Sequence, residues 1–196
     1  MTQTKSCRPI VHINGFPGVG KLTIARQLLA QLPSVKLVHN HLLVNPADAV
    51  LHRSQPGYQT LRRAIRTALF STLVTEPATF DTSYIFTDFQ TDDELGTAVC
   101  AEYRCTAEAR GAALVPIVLL CDEETNLQRV ASSDRETYLK LTDVALVAQF
   151  RREKNVHRFS EHANYLELDV TTLSPAEAAT RIAEHVRKVC PVLQWE

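Results

Sequence analysis

Ile10-Val11-His12-Ile13-Asn14-Gly15-Phe16-Pro17-Gly18-Val19-Gly20-Lys21-Leu22-Thr23 joins an apolar run, a glycine-rich loop and a lysine, in that order. The run Ile10 to Ile13 reads as a buried strand that ends at glycine. From Val19 to Leu32 the residues Leu22, Ile24, Ala25, Leu28, Leu29 and Leu32 recur at helical spacing, and Pro33 stops the pattern. A loop between a strand and a helix suits a cluster of phosphates. Glycines lack Cβ, so their backbone N–H groups can turn inward and touch the oxygens. The start of the helix adds the positive end of its dipole. Lys21 supplies a point charge for β- and γ-phosphates. The loop Gly15, Phe16, Pro17, Gly18, Val19, Gly20 and Lys21 is therefore predicted to hold a nucleoside triphosphate.

Outward from this loop, strands and helices alternate. Val35–Val38 reads as a strand, followed by a polar corner of His39, Asn40 and His41. Tyr58–Thr75 has helical periodicity, with Leu61, Ile65, Ala68, Leu69 and Leu73 on one face and Arg62 and Arg66 on another. Ser83–Phe89 is a third strand with an acid near its end, Asp88. Asp92–Arg110 is a helix started by Asp92 or Asp93 and capped by Gly111. Ala113–Leu120 is the most apolar strand. Helices are predicted over Asp122–Ala131 and Asp143–Asn155, with a polar connection at Ser132–Lys140. Tyr165–Asp169 is a last strand, and Ser174-Pro175 starts a last helix that runs to about Val189. The alternation predicts an α/β protein: one five-stranded parallel sheet with helices on both faces. Ligands of such sheets sit beyond the carboxyl ends of the strands, where the glycine loop, the His39–His41 corner and Asp88 lie.

The bulk composition fits a single domain spanning residues 1–196, with hydrophobic residues at 45% and charged residues at 22%. The net charge of −1 gives no overall basic excess for nucleic acid or an anionic membrane. No apolar run reaches the roughly 18 residues of a membrane span. The N-terminus has no signal-like apolar core. The five cysteines include no Cys-x-x-Cys pair and read as free thiols of a reducing cytosol. These features predict a cytoplasmic protein without nucleic-acid or membrane partners, a monomer or a homodimer.

The common phosphate-loop pattern is Gly-x4-Gly-Lys-[Ser/Thr], whose last hydroxyl holds Mg²⁺. Here Leu22 takes that place and Thr23 follows. Gly15-Phe-Pro-Gly-Val-Gly-Lys-Leu-Thr23 resembles the Gly-x-Pro-Gly-x-Gly-Lys-Gly-Thr loop of adenylate kinases, which also put threonine one place later. Length and element order are similar to the wider P-loop kinase superfamily, including shikimate kinase, gluconate kinase and chloramphenicol phosphotransferase. The resemblance implies a P-loop NTPase fold with a short helical lid near residues 130–142. It implies ATP and Mg²⁺ as cofactors, with nucleotide contacts from the loop, Leu22 and Thr23. Thr23 and Asp88 would hold the metal. By the same resemblance Arg129 would lie against the adenine or the α-phosphate, and Arg135 would reach the phosphates from the lid. The plainer alternative for both arginines is a solvated face. The loop after the last strand, Asp169 to Pro175, resembles the segment placed near adenine. The Asp-Gly-Phe-Pro-Arg segment of adenylate kinases is replaced by Asp88-Phe-Gln-Thr91, without the arginine.

The acceptor side is less defined. Asn40 and His41 are expected to contact substrate, and Arg62 and Arg66, one turn apart, to clamp an anionic acceptor or lie in solvent. His41, Asp88 and Asp48 are possible general bases. His12 reads as a satisfied core residue. The expected function is transfer of the γ-phosphoryl group of ATP to a hydroxyl of a small molecule. The alternatives are a nucleoside monophosphate kinase and a non-enzymatic nucleotide-binding switch.

Overall fold

Strand β1 (Cys7–Asn14) is almost wholly buried, because it has a strand on each side and helices on both faces. It pairs in parallel with β3 (Ser83–Thr87), Ile13 lying opposite Thr87. On its other side it pairs in parallel with β4 (Ala112–Leu120), Asn14 lying opposite Val118. Strand β2 (Val35–His39) extends the sheet beyond β3, and β5 (Leu166–Asp169) extends it beyond β4, both in parallel. The order is β2-β3-β1-β4-β5. The computed structural model describes residues 7–131 and 143–191. Within them the helices are α1 (Lys21–Leu29), α2 (His41–Asp48), α3 (Tyr58–Thr75), α4 (Glu94–Arg110), α5 (Glu123–Ala131), α6 (Val144–Glu153) and α7 (Pro175–Val189).

Successive side chains of a strand point to opposite faces, and β1 divides its residues accordingly. Val11 and Ile13 join Leu28 of α1, Ile182 of α7 and the β4 residues Ile117 and Leu119 in one core. Ile10 joins Phe70 of α3, Phe86 of β3 and Tyr103 of α4 in the other. His12 lies on this second face, stacked on Tyr103 with ring centres 4.2 Å apart.

Within the described residues the predicted strands and helices are present, and their ends follow local chemistry. Asp93 caps α4, its carboxylate accepting from Gly96 N at 2.9 Å. Gly111 closes the same helix at φ 67, a left-handed value that suits glycine. Ser174 and Glu177 bond reciprocally across the start of α7. Helix α1 begins at Lys21 rather than Val19, because Gly20 at φ 103 is outside the helical region. Helix α2 was not anticipated. It is a short helix with Pro46 inside it, and a proline there removes a helix bond and disguises the pattern. His41 therefore starts a helix instead of sitting in an open corner. Among the described residues no helix is long and apolar enough to cross a membrane.

Candidate functional site

The glycine loop crosses the carboxyl end of β1 and feeds α1. A Cβ on Gly15 would sit 2.6 Å from the carbonyl oxygen of Leu119 and 3.1 Å from Val19 Cγ1, so only glycine fits there. Gly18 and Gly20 take φ of 92 and 103, where side chains are strained. The first i→i−4 bond of α1 runs from Ile24 N to Gly20 O at 3.0 Å. The N–H groups of Lys21, Leu22 and Thr23 precede it, so they have no carbonyl within the helix to bond and are the donors a helix offers an anion. The Lys21 ammonium folds over the loop and donates to Gly15 O at 2.6 Å and Phe16 O at 2.9 Å. Its charge is thereby held above the loop backbone.

Buried and half-buried polar side chains fix this loop from behind. Asn126 on α5, fully buried, donates to Pro17 O at 2.9 Å. Arg151 on α6 donates to Asn126 Oδ1 and to Cys121 O, both at 3.1 Å, and its guanidinium carbon lies 5.2 Å from the centre of the Phe16 ring. Arg129 donates to Val19 O at 3.3 Å and to the carbonyls of Val170 and Thr171 at 3.0 and 3.3 Å. It thus ties the loop to the turn after β5. Asn14, at the end of β1, donates to Gln90 O at 2.9 Å and His157 O at 3.1 Å and accepts from Gln90 N at 2.8 Å. That one amide locks the chain leaving β3 against the segment after α6.

Asp88 directly follows β3 and is only 4% exposed. Its Oδ1 accepts from Phe89 N at 2.9 Å, and its Oδ2 accepts from the Tyr103 hydroxyl at 3.4 Å. Burial and the nearby Asp88 carboxylate push the Tyr103 phenol well up, so it stays a donor. Beneath them His12 is buried, and among the described residues neither of its ring nitrogens has a hydrogen-bond partner. It is a core residue as expected, but not a satisfied one. Desolvation lowers its pKa from 6.5 to about 4, against the opposing pull of Asp88.

The loop and Asp88 open into one cavity of about 910 Å³, at the large end for a ligand site. It is also lined by Asn40 and His41 at the start of α2, by Tyr58 and Arg62 of α3, and by Phe89 and Phe150. The Tyr58 hydroxyl donates to Asp48 Oδ1 at 2.5 Å. Arg53 makes a forked pair with the same carboxylate, at 3.2 and 2.8 Å. The hydrogen bond from Arg53 is the main reason the Asp48 carboxyl titrates below the usual range. Arg62 sits over the Tyr58 ring at 5.9 Å. Phe16, Phe89 and Phe150 form a ladder, with successive ring centres 5.4 and 5.7 Å apart.

No family model and no curated protein matches the sequence. The structure, however, superposes on solved kinases over almost the whole chain. A gluconokinase from Sinorhizobium meliloti aligns with TM-score 0.61 at 9% identity, covering 94% of each chain. A shikimate kinase from Acinetobacter baumannii, in complex with shikimate, aligns with TM-score 0.56 at 18% identity, covering 94% of this chain and 96% of that one. A thymidylate kinase from Candida albicans aligns with TM-score 0.59 at 15% identity, covering 95% and 94%. This is the P-loop kinase fold. The five-stranded parallel sheet with helices on both faces is the one the sequence predicts.

Within the P-loop kinase fold the predicted residues separate. Pro17, Gly18, Val19, Gly20, Lys21, Leu22, Thr23, Asn40, His41, Arg62, Asp88 and Arg129 all line the cavity. Thr23 is exposed on the first turn of α1, and Asp88 lines the same cavity. Phe16 contributes its carbonyl to Lys21 and its ring to the ladder. Arg66 differs from expectation. It is buried and donates to Glu102 Oε2 at 2.5 Å, because α3 packs this face on α4 instead of presenting it to the cavity. Asp48 is engaged by Arg53 and Tyr58, which leaves it poorly placed as a base. Arg135 and nearly all of the predicted lid lie outside the described residues. The role of Asn126 escaped the sequence reading, because it belongs to no motif and its partner is 109 positions away; Arg151, which the sequence offers as a further candidate cation or a solvated helix residue, instead bonds Asn126, 25 positions away.

Proposed function

We propose that the chain transfers the γ-phosphoryl group of ATP to a hydroxyl of a small molecule. The observation that carries this reading is the shared cavity: the phosphate loop with Lys21 and Asp88 at one end, and polar and aromatic side chains at the other. The three kinases named above support it by sharing the fold. Phosphoryl transfer asks a protein chiefly for positioning and for neutralisation of spreading charge. The loop N–H groups and the α1 terminus would bind the phosphates, and Lys21 would move from its carbonyl partners onto the β- and γ-oxygens. Mg²⁺, brought with the nucleotide and held from the protein side by Thr23 and Asp88, would screen the charge between the two phosphates. Arg129 would keep the loop in register with the turn after β5, where Val170, Leu173 and Pro175 offer an apolar seat for the base. Asn40 and His41 would orient the acceptor hydroxyl.

The test is ATP-dependent product formation across hydroxylated metabolites, antibiotics and nucleoside monophosphates. Replacing Lys21 with Ala is expected to lower turnover by about 100-fold or more. Turnover that survives Lys21→Ala overturns the mechanism. Product from monophosphates alone would make the chain a nucleotide kinase.

A further inference from the structure

We infer that Tyr103 is a positioning residue: its buried hydroxyl holds the Asp88 carboxylate, which lines the cavity, in a single orientation. This rests on the kinase reading above, in which Asp88 helps to hold the divalent ion. Tyr103 belongs to a repeat along α4. Gly96, Val99, Cys100, Tyr103 and Ala107 are buried at helical spacing, so they share one face of the helix. That face meets the turn around Asp88 twice. At its start Gly96 presses on Thr91 so closely that a Cβ would clash with the Thr91 main chain. Asp93 joins the two, accepting from Gly96 N at 2.9 Å and from Thr91 Oγ1 at 2.7 Å. About two helical turns further on, the Tyr103 hydroxyl donates to Asp88 Oδ2 at 3.4 Å. The ring that carries this hydroxyl is 1% exposed and wedged on three sides. It stacks on His12 at 4.2 Å and meets Phe70 and Phe86 edge to face at 4.9 and 5.2 Å.

Among the described residues the Asp88 carboxylate accepts one other hydrogen bond, from Phe89 N to Oδ1 at 2.9 Å. That donor is local and moves with the turn, and a single point of attachment leaves a carboxylate free to swing. A second donor on the other oxygen, anchored in the core, fixes its plane. The kind of donor matters as well. A phenol is neutral, so it orients the carboxylate and leaves its negative charge to a ligand in the cavity. Asp48 shows the contrast, because Arg53 forks onto it and offsets its charge within the protein. Asp143, the other carboxylate lining the cavity among the described residues, caps α6 by accepting from Leu146 N at 3.0 Å. Partners that orient a metal-binding side chain commonly change metal affinity by about 10–100-fold. A separation of 3.4 Å is long for a bond between oxygens, which places the expected effect near the lower end, about tenfold.

The test is Mn²⁺ binding to the full chain saturated with ADP, followed by electron paramagnetic resonance, with metal-free ADP binding measured by calorimetry. Tyr103→Phe keeps the ring in its socket and removes only the hydroxyl. It should weaken Mn²⁺ binding about tenfold. Metal-free ADP binding should stay as it was, which also shows that the variant folds. Asp88→Asn should weaken Mn²⁺ binding more strongly. In that background Tyr103→Phe should add nothing, because the hydroxyl acts through the carboxylate. The inference is overturned by Mn²⁺ affinity unchanged in Tyr103→Phe, by an equal loss of metal-free ADP binding, or by full additivity with Asp88→Asn. Lys21-dependent transfer by the unaltered chain reports separately on the kinase reading. Transfer with Mn²⁺ binding indifferent to Tyr103→Phe sinks the inference alone, and Tyr103-dependent Mn²⁺ binding without transfer to any acceptor sinks the kinase reading alone.

Discussion

The phosphate end and the acceptor end of the cavity are held by different means. At the phosphate end the ligand-facing groups are mainly backbone, and buried or half-buried side chains fix that backbone: Asn14, Asn126, Arg129 and Arg151 all bond to main-chain atoms or to one another. At the acceptor end the ligand-facing groups are side chains on α2 and α3, set by partly exposed pairs such as Arg53 with Asp48. Recognition by backbone N–H groups demands a single loop conformation, so it needs a rigid, buried frame. Recognition by side chains needs only that a few rotamers be favoured. The first arrangement suits a ligand common to the whole fold, and the second leaves room for acceptors to vary.

This contrast predicts a steep fall in effect from one end to the other. The largest effect is expected at Gly15. A methyl there meets the Leu119 carbonyl at 2.6 Å, where two strands hold the backbone on both sides. Gly15→Ala should cost about 1–3 kcal/mol of stability and weaken nucleotide binding by at least about tenfold, read by thermal unfolding and ADP calorimetry. A loop that accepts this methyl without loss would break the contrast.

Comparable in stability, but without a direct effect on nucleotide binding, is the buried His12. In the folded chain it remains neutral down to about pH 4, whereas its ordinary value is 6.5. As pH falls through this window the unfolded chain takes up the proton first, so stability declines and levels off below about pH 4. The gap between 6.5 and about 4 corresponds to about 3 kcal/mol. Urea unfolding followed from neutral to acid pH should show that decline, and His12→Phe should remove most of it. A pH dependence unchanged in His12→Phe would show that the proton is taken up elsewhere.

Asn126→Ala should rank third. It removes the donor to Pro17 O and the acceptor for Arg151 from a fully buried side chain. A loss of about 1–3 kcal/mol is expected, with weaker ADP binding and unchanged acceptor affinity in the ADP-loaded protein. Equal damage to both ligands would show that the two ends are coupled. The smallest effect belongs to Tyr58→Phe, which deletes the hydroxyl donor to a partly exposed carboxylate and should cost less than about 1 kcal/mol. It should shift acceptor selectivity while leaving ADP binding alone.

The sequence by itself determined the strand–loop–helix unit, the parallel sheet and the place of Asp88, because periodicity, glycine spacing and caps are local signals. Residues 10–23 contain nearly everything the loop needs, and Gly111 and Ser174-Pro175 mark their helix ends without outside help. The tertiary structure alone decided what the polar side chains do. Arg62 and Arg66 stand one turn apart and are chemically the same; packing of α3 on α4 gives Glu102 to Arg66 and leaves Arg62 to the cavity. Asn126 reads as an ordinary helix residue until folding brings the loop to it. Burial likewise turns His12 from an unremarkable strand residue into one whose ring nitrogens have no hydrogen-bond partner among the described residues. A side chain's role depends on which partners come within about 3 Å, and helix packing sets that distance between residues far apart in the chain.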